Sequence, residues 1–218
     1  MRYDPEMVRS LRETYSVIED DVIRRMAEFR EIWDSDNERS ALNELLFCVL
    51  TPQSRAQVCW EAIEEMTCTD ILLDGHYDEV LGAVKFVRFK YKKTGYLIEA
   101  RERFMRGGEI HLLDFIREIG DPVKAREWLV ENIKGLGYKE ASHFLRNIGQ
   151  GEGLTILDRH ILRMLAKSGV IERVPGSMTE TRYLKIEEEM KRFAAAIEIP
   201  VSHLDLVMWY MATGTIFK

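Results

Sequence analysis

The sequence predicts an all-α fold, with helix packed on helix throughout. Three observations carry that prediction. Apolar residues recur at spacings of three and four over most of the 218 residues, while strand-like alternation is scarce. Five prolines, at 5, 52, 122, 175 and 200, and several glycine clusters punctuate the chain at helical lengths. Residues that cap helices stand where several periodic segments begin.

The elements follow in order. Residues 6–32 place Met7, Leu11, Val17, Ile18, Val22, Met26, Phe29 and Ile32 at helical spacings and read as two helices with a break near Thr14–Ser16. Residues 40–50, SALNELLFCVL, predict a strongly apolar helix with Ser40 as its N-cap. Thr51-Pro52-Gln53-Ser54 interrupts it, and the helical pattern resumes from Ala56 to Met66. Residues 76–104 predict two shorter helices around a basic loop, Gly107-Gly108 a break, and Ile110 to Ile119 another helix. Pro122 suits the first position of the next helix, behind Asp121 as N-cap, and that helix runs to about Ile133. Gly135-Leu136-Gly137 joins it to a helix from about Lys139 to Ile148. After the loop Gly149-Gln150-Gly151-Glu152-Gly153, Asp158 opens a helix carrying Ile161, Leu162, Leu165 and Ala166. A helix from Thr179 to Ile197 follows, and Ser202 starts the last, where Ser202-His203-Leu204-Asp205 has the spacing of a capping box.

The composition excludes several classes. With 46% hydrophobic and 31% charged residues, the chain has far too much apolar content for a disordered one, and 14 Gly with 5 Pro rule out a collagen-like repeat. Three cysteines, Cys48, Cys59 and Cys68, are a poor basis for a disulfide framework, and their spacing matches neither a zinc ribbon nor an iron–sulfur loop. Cys48 and Cys59 lie in apolar surroundings and are expected to pack as small hydrophobes. Met1 leads into Arg2, Tyr3, Asp4 and Pro5, without an apolar signal segment, and no run of ~18 apolar residues occurs. A cytoplasmic protein is the expectation.

The net charge of −6 argues against a nucleic-acid partner held by bulk charge. The charge is segregated, however. Residues 84–106 hold eight Lys and Arg against two Glu, a net of +6, with Tyr91 and Tyr96 interleaved. Residues 56–81 hold seven acids and no Lys or Arg, a net of −7. A single charge run is ordinarily a solvated face. A basic loop near a helical hairpin also reads as a surface that tracks a nucleic-acid backbone.

The chemistry concentrates in residues 128–147, WLVENIKGLGYKEASHFLRN. Gly135 and Gly137 permit positive φ and close approach of another backbone at the turn between two helices. Amides opening the second helix lack internal partners, so they offer an anion site that fits a DNA phosphate. A plain αα-hairpin with a glycine turn fits the same residues. Lys139 stands at the start of the second helix, where the dipole disfavours a cation, and a neutral lysine amine is a usable nucleophile. It equally fits a surface lysine or a phosphate contact. Asp158, in ILDRHILRML, reads as an N-cap whose second oxygen can orient an amine or stabilise a cationic, sugar-like transition state.

At these residues the chain resembles a known family. GLGYKEASHFLRNIG followed by LDRHILRML is similar to the helix-hairpin-helix and Gly-rich/Asp signature of the DNA glycosylase superfamily, and ELLFCVLTPQSRAQ resembles its entry segment. Lys139 places the resemblance in the bifunctional glycosylase/lyase branch. The ending DLVMWYMATGTIFK resembles the archaeal-type 8-oxoguanine DNA glycosylases, so the likeness covers nearly the whole chain. It departs from the endonuclease III branch, whose four C-terminal cysteines hold an iron–sulfur cluster, because the last cysteine here is Cys68. Lys134 stands where many relatives have proline before the first hairpin glycine.

The resemblance implies two helical subdomains, residues 1–40 with 160–218 and residues 41–159, the latter containing the helix-hairpin-helix (about 123–148), with the active site in the cleft between them. It implies excision of 8-oxoguanine from double-stranded DNA by a cytoplasmic, nucleoid-associated monomer, with no membrane association and no cofactor. Lys139 would attack the sugar and Asp158 would assist it. Lys218, through its terminal carboxylate, and Trp209, Phe86 and Phe89 would recognise the flipped base. Gln53 would fill the gap left in the duplex, while Gly135, Gly137, Lys134, Arg88, Lys92 and His160 would meet the DNA. No metal is required, although the carbonyls of Glu131, Ile133 and Leu136 match a monovalent-cation position. His143 receives no role. The alternatives are an endonuclease III-like glycosylase for oxidised pyrimidines and a non-catalytic helix-hairpin-helix DNA-binding protein.

Overall fold

The computed structural model describes residues 3–218; Met1 and Arg2, at the head of the opening segment, lie outside them. Its helices are α1 (Pro5–Asp34), α2 (Glu38–Leu50), α3 (Ala56–Cys68), α4 (Ile71–Asp74), α5 (Tyr77–Ala83), α6 (Lys90–Phe104), α7 (Leu112–Ile119), α8 (Pro122–Asn132), α9 (Tyr138–Asn147), α10 (Arg159–Lys167), α11 (Glu180–Ala196) and α12 (Val201–Thr213). The fold is all-α, as the periodicity predicts. The sequence read Gly107-Gly108 only as a break. There, β1 (Met105–Arg106) and β2 (Glu109–Ile110) form a two-residue antiparallel hairpin.

The chain forms two compact units, residues 32–144 and residues 1–31 with 145–218. The boundaries fall inside the continuous helices α1 and α9, whereas the sequence reading set them at 40/41 and 159/160. An unbroken helix shows no change of composition where its packing partners change.

In the unit of residues 32–144, α2 is the central helix. Every residue from Ala41 to Leu50 except Asn43 is buried, and α3, α6 and α7 pack around it. A helix enclosed on all sides must be apolar on all sides, which is how SALNELLFCVL reads. Its N-cap is Asn37, whose Oδ1 accepts from the Ser40 amide at 3.0 Å. Ser40 therefore lies inside the helix, and the cap is a better one, because Asn37 precedes the first helical residue. Glu38 reaches over to α7, accepting from the amides of Leu112 and Leu113 at 2.9 Å each and so neutralising that helix's open N-terminus. Cys48 and Cys59 are buried as expected.

In the other unit, α12 packs against α10 and α11. Within α1, Leu11, Ile18, Val22 and Phe29 form one buried stripe. That stripe runs straight past residues 14–16, so α1 is a single helix and not the two expected. Thr14, Tyr15 and Ser16 have weak helix propensity. The helix persists because the stripe is buried, even though Ser16 Oγ bonds back to Glu13 O at 2.8 Å. The last helix opens at Val201 behind Pro200, and no Ser202 capping box forms. Asp205 is instead buried 3.7 Å from Arg146, its carboxyl pushed up by burial and held back by that guanidinium.

Candidate active site

The two units each carry part of the predicted site. In the unit of residues 32–144, Asp121 caps α8 by accepting from the Lys124 amide at 2.9 Å, with Pro122 at its first position. The helix ends at Asn132, and the turn to α9 is set by Gly135, whose φ is +93°. A Cβ on Gly135 would lie 2.9 Å from the Tyr96 ring, so the position is closed to any side chain by strain and by space. Gly137 has no positive φ, contrary to expectation. Its amide donates to Glu140 Oε2 at 3.2 Å. The first amide of the expected anion site is therefore taken by a carboxylate of the chain itself. The carbonyl of Ile133, one of the three proposed for a cation, accepts from the Leu136 amide at 3.2 Å.

Lys139 lies in the first turn of α9 with its side chain 23% exposed. Among the described residues it makes one ion pair, with Nζ 3.9 Å from Glu140 Oε1. The far side of α9 is locked into the core. Ala141, Ser142, His143 and Phe144 are buried, Arg126 Nη1 donates to Ser142 Oγ at 3.3 Å, and His143 stands edge-on to Phe47. The amine is thus presented from a rigid helix. Lys134 points to the exterior and pairs with Glu99 at 2.9 Å.

The segment before α6 carries the expected aromatic and basic residues. Phe86 is 81% exposed, and Lys85 Nζ sits 5.2 Å from its ring centre. Arg88 lies 4.8 Å over Phe89, Lys90 lies over Tyr91 and Lys92 over Tyr96. Phe89 adopts φ +61°, which is rare for a bulky residue and presents its half-exposed ring at the start of α6. Rings topped by cations suit both bases and phosphates.

Two cations of this stretch do something the charge count did not foresee. Lys93 is buried, and its Nζ donates to Leu50 O at 2.6 Å, Pro52 O at 2.8 Å and Ser54 Oγ at 2.9 Å. Burial lowers its pKa. Lys93 therefore clamps the turn that holds Gln53 exposed at φ +56°, a strained conformation for a residue with a side chain. Arg101 is likewise buried and donates to Gly75 O at 3.0 Å, closing the end of α4. Beside the clamp, burial pushes the Cys59 thiol up to about 11, leaving it a neutral donor to Leu50 O.

In the second unit, Asp158 is the N-cap of α10, its Oδ1 accepting from the Ile161 amide at 2.8 Å. Its other oxygen makes no hydrogen bond among the described residues. The strand-like residues leading to it are fixed by α11. Tyr183 donates its hydroxyl to Thr155 O at 2.6 Å, and Glu187 Oε2 accepts from the Thr155 amide at 3.0 Å. His160 and Trp209 meet edge to face at 5.2 Å. The Trp209 indole N–H is buried with no hydrogen-bond partner among the described residues, a donor left available. Lys218 is half-buried beyond the end of α12.

Sequence reading missed Glu140, Lys93, Tyr183 and Glu187. The spacing of Gly137 to Glu140 is that of a capping box, a signal that was legible. Lys93 gave none, because KYKK reads as solvated.

The 8-oxoguanine DNA glycosylase family model, Ogg-HhH, matches residues 22–199. The 8-oxoguanine DNA glycosylase/AP lyase of Fusobacterium nucleatum is 42% identical over 213 residues, 98% of each chain. The crystal structure of the Thermotoga maritima 8-oxoguanine DNA glycosylase superposes with a TM-score of 0.86 at 32% identity, covering 98% of this chain and 99% of that one. That of the Methanocaldococcus jannaschii 8-oxoguanine glycosylase/lyase, in complex with a 15mer DNA containing 8-oxoguanine, superposes at 0.87 and 31% identity, covering 98% and 100%. The helix-hairpin-helix glycosylase architecture is common to them, and the chain belongs to the 8-oxoguanine DNA glycosylase family.

Proposed function

We propose that the chain is a bifunctional 8-oxoguanine DNA glycosylase/AP lyase. The observation that carries this reading is Lys139, a partly covered primary amine on the rigid first turn of α9, in a chain 42% identical along its length to a protein of that name. The damaged nucleotide is flipped from the duplex, at a cost of a few kcal/mol in stacking and pairing. The Lys139 amine attacks C1′, the base leaves, and a Schiff base forms. β-Elimination then cuts the strand 3′ to the lesion. The unpaired oxygen of Asp158 supports positive charge at the sugar.

Base choice follows from hydrogen-bond direction. N7 of 8-oxoguanine carries a hydrogen, and N7 of guanine does not. A group that only accepts hydrogen bonds favours the damaged base, and we assign that discrimination to Lys218. Trp209, Phe86 and Phe89 supply stacking surface, Gln53 fills the vacated position in the duplex, and the exposed cations of residues 85–92 meet phosphates. The partner is double-stranded DNA, engaged by a monomer in the cytoplasm. Among the described residues no helix is long and apolar enough to cross a membrane.

The test is borohydride trapping on a panel of duplexes carrying 8-oxoguanine, oxidised pyrimidines or no lesion. The expected result is a covalent adduct on the 8-oxoguanine duplex in strong preference to the others. An adduct formed chiefly with oxidised pyrimidines would replace this reading with the endonuclease III-like one, and DNA binding without any adduct would replace it with the non-catalytic one.

A further inference from the structure

We propose that Glu140 is a further catalytic residue of this same site, the group that accepts a proton from the Lys139 amine and later returns it to the sugar. The proposal rests on the glycosylase/lyase reading. Adjacent residues on a helix do not ordinarily face each other. Here they do, because the Glu140 side chain turns back to the start of α9 to accept from the Gly137 amide at 3.2 Å. That cap uses Oε2 and leaves Oε1 facing Lys139 Nζ at 3.9 Å. The side chains are only 23% and 16% exposed, so the pair is largely shielded from water. A purely capping carboxylate would need one oxygen and no lysine beside it.

The surrounding groups leave Glu140 the acceptor. From α6, the Lys93 ammonium interacts with the Glu140 carboxylate and is itself anchored to backbone carbonyls, with Arg88 beyond it. From α3, Cys59 lies within electrostatic reach of Lys139 but is held as a neutral thiol. His143, one turn further along α9, is buried against Phe47. A separation of 3.9 Å is an ion-pair distance, and catalytic contacts of this kind shorten when substrate is bound.

The protons balance. The resting pair is an ammonium and a carboxylate. Transfer of one proton to Glu140 leaves a neutral amine and a carboxylic acid. The nitrogen lone pair forms the N–C1′ bond as the C1′–N9 bond breaks and its electrons leave with the base. The resulting secondary ammonium gives its next proton to the departing base. The nitrogen lone pair then expels O4′ from C1′, O4′ takes the proton held by Glu140, and the protonated imine stands beside a regenerated carboxylate. The ammonium's three protons are thus divided among O4′, the base and the imine.

The test is single-turnover borohydride trapping on an 8-oxoguanine duplex from acid to alkaline pH, comparing wild type with Glu140→Gln. The glutamine carbonyl still accepts from the Gly137 amide, so the cap survives while the charge and the capacity to accept a proton are lost; the pH dependence separates the two. We expect trapping to fall by about a hundredfold near neutrality, the lower end of general-base effects, and the deficit to close as rising pH lets hydroxide remove the proton. Glu140→Asp, which keeps the carboxylate on a shorter arm, should fall less and keep the wild-type pH profile. Melting temperature and affinity for a duplex with an uncleavable abasic analogue show that each variant is folded and binds. A Glu140→Gln rate close to wild type, a deficit of the same factor at every pH, or an aspartate variant that behaves as the glutamine one overturns the proposal. A wild type that traps nothing overturns the lyase reading and the proposal together, whereas trapping by wild type with Glu140→Gln unchanged overturns the proposal alone.

Discussion

Lys139→Gln is expected to abolish the trapped adduct and strand cleavage while leaving the protein folded and able to bind DNA. An imine requires a primary amine, and a glutamine amide, whose lone pair is delocalised into its carbonyl, cannot supply one. The substitution is mild structurally. The side chain is partly exposed, and its one ion pair among the described residues spans 3.9 Å. At that separation the contact is at the outer edge of ion pairing, and Glu140 keeps its hydrogen bond from the Gly137 amide when the lysine is replaced. The buried face of α9, with Ala141, Phe144 and the Arg126–Ser142 hydrogen bond, is untouched. Melting temperature should therefore stay near wild type, and affinity for an 8-oxoguanine duplex, read by fluorescence anisotropy, should persist. An adduct that survives this substitution would place the nucleophile on another residue.

Asp158→Asn should slow base excision by about a hundred- to ten-thousandfold, the range of electrostatic and general-base contributions in enzymes. The choice of Asn separates chemistry from folding. Asp158 caps α10 through Oδ1 to the Ile161 amide, and Asn caps a helix about as well as Asp. Tyr183 and Glu187 also fix the approach to it at Thr155, so that segment is held by contacts the substitution leaves in place. Asp158→Ala, by contrast, should lose activity and also about 1 kcal/mol of stability with the cap. Single-turnover glycosylase rates alongside thermal melts distinguish the two. An Asn variant within tenfold of wild type would leave Asp158 as a cap alone.

The sequence revealed best what is local. Asp121 with Pro122, Asp158 and Thr179 open helices in the structure because a cap and the helix it serves are neighbours in the chain. Gly135 and Lys139 were legible for the same reason. Local signals also misled: Ser40 looked like a cap three residues inside the true one at Asn37, and the weak formers at 14–16 looked like a break in α1. What stayed illegible depends on distant partners. Lys93 is buried because carbonyls more than forty positions earlier surround its ammonium. Tyr183 and Glu187 act on a segment 28 and 32 positions before them. No periodicity in one sequence encodes such pairings. Glu140 is the intermediate case: its capping spacing to Gly137 is local, whereas its second oxygen facing Lys139 is a matter of side-chain geometry.

The burial of Lys93 and Arg101 carries over to how the protein responds to electrolyte. A cation strengthens DNA binding by displacing ions condensed on the phosphates, and it does so only where it can reach them. Residues 84–106 hold eight Lys and Arg, but Lys93 and Arg101 are committed to backbone carbonyls in the interior. Six remain to release counterions. Each contributes about −0.9 to the slope of log affinity against log salt concentration on duplex DNA, so this stretch sets a ceiling of about −5 where the bare charge count gives about −7.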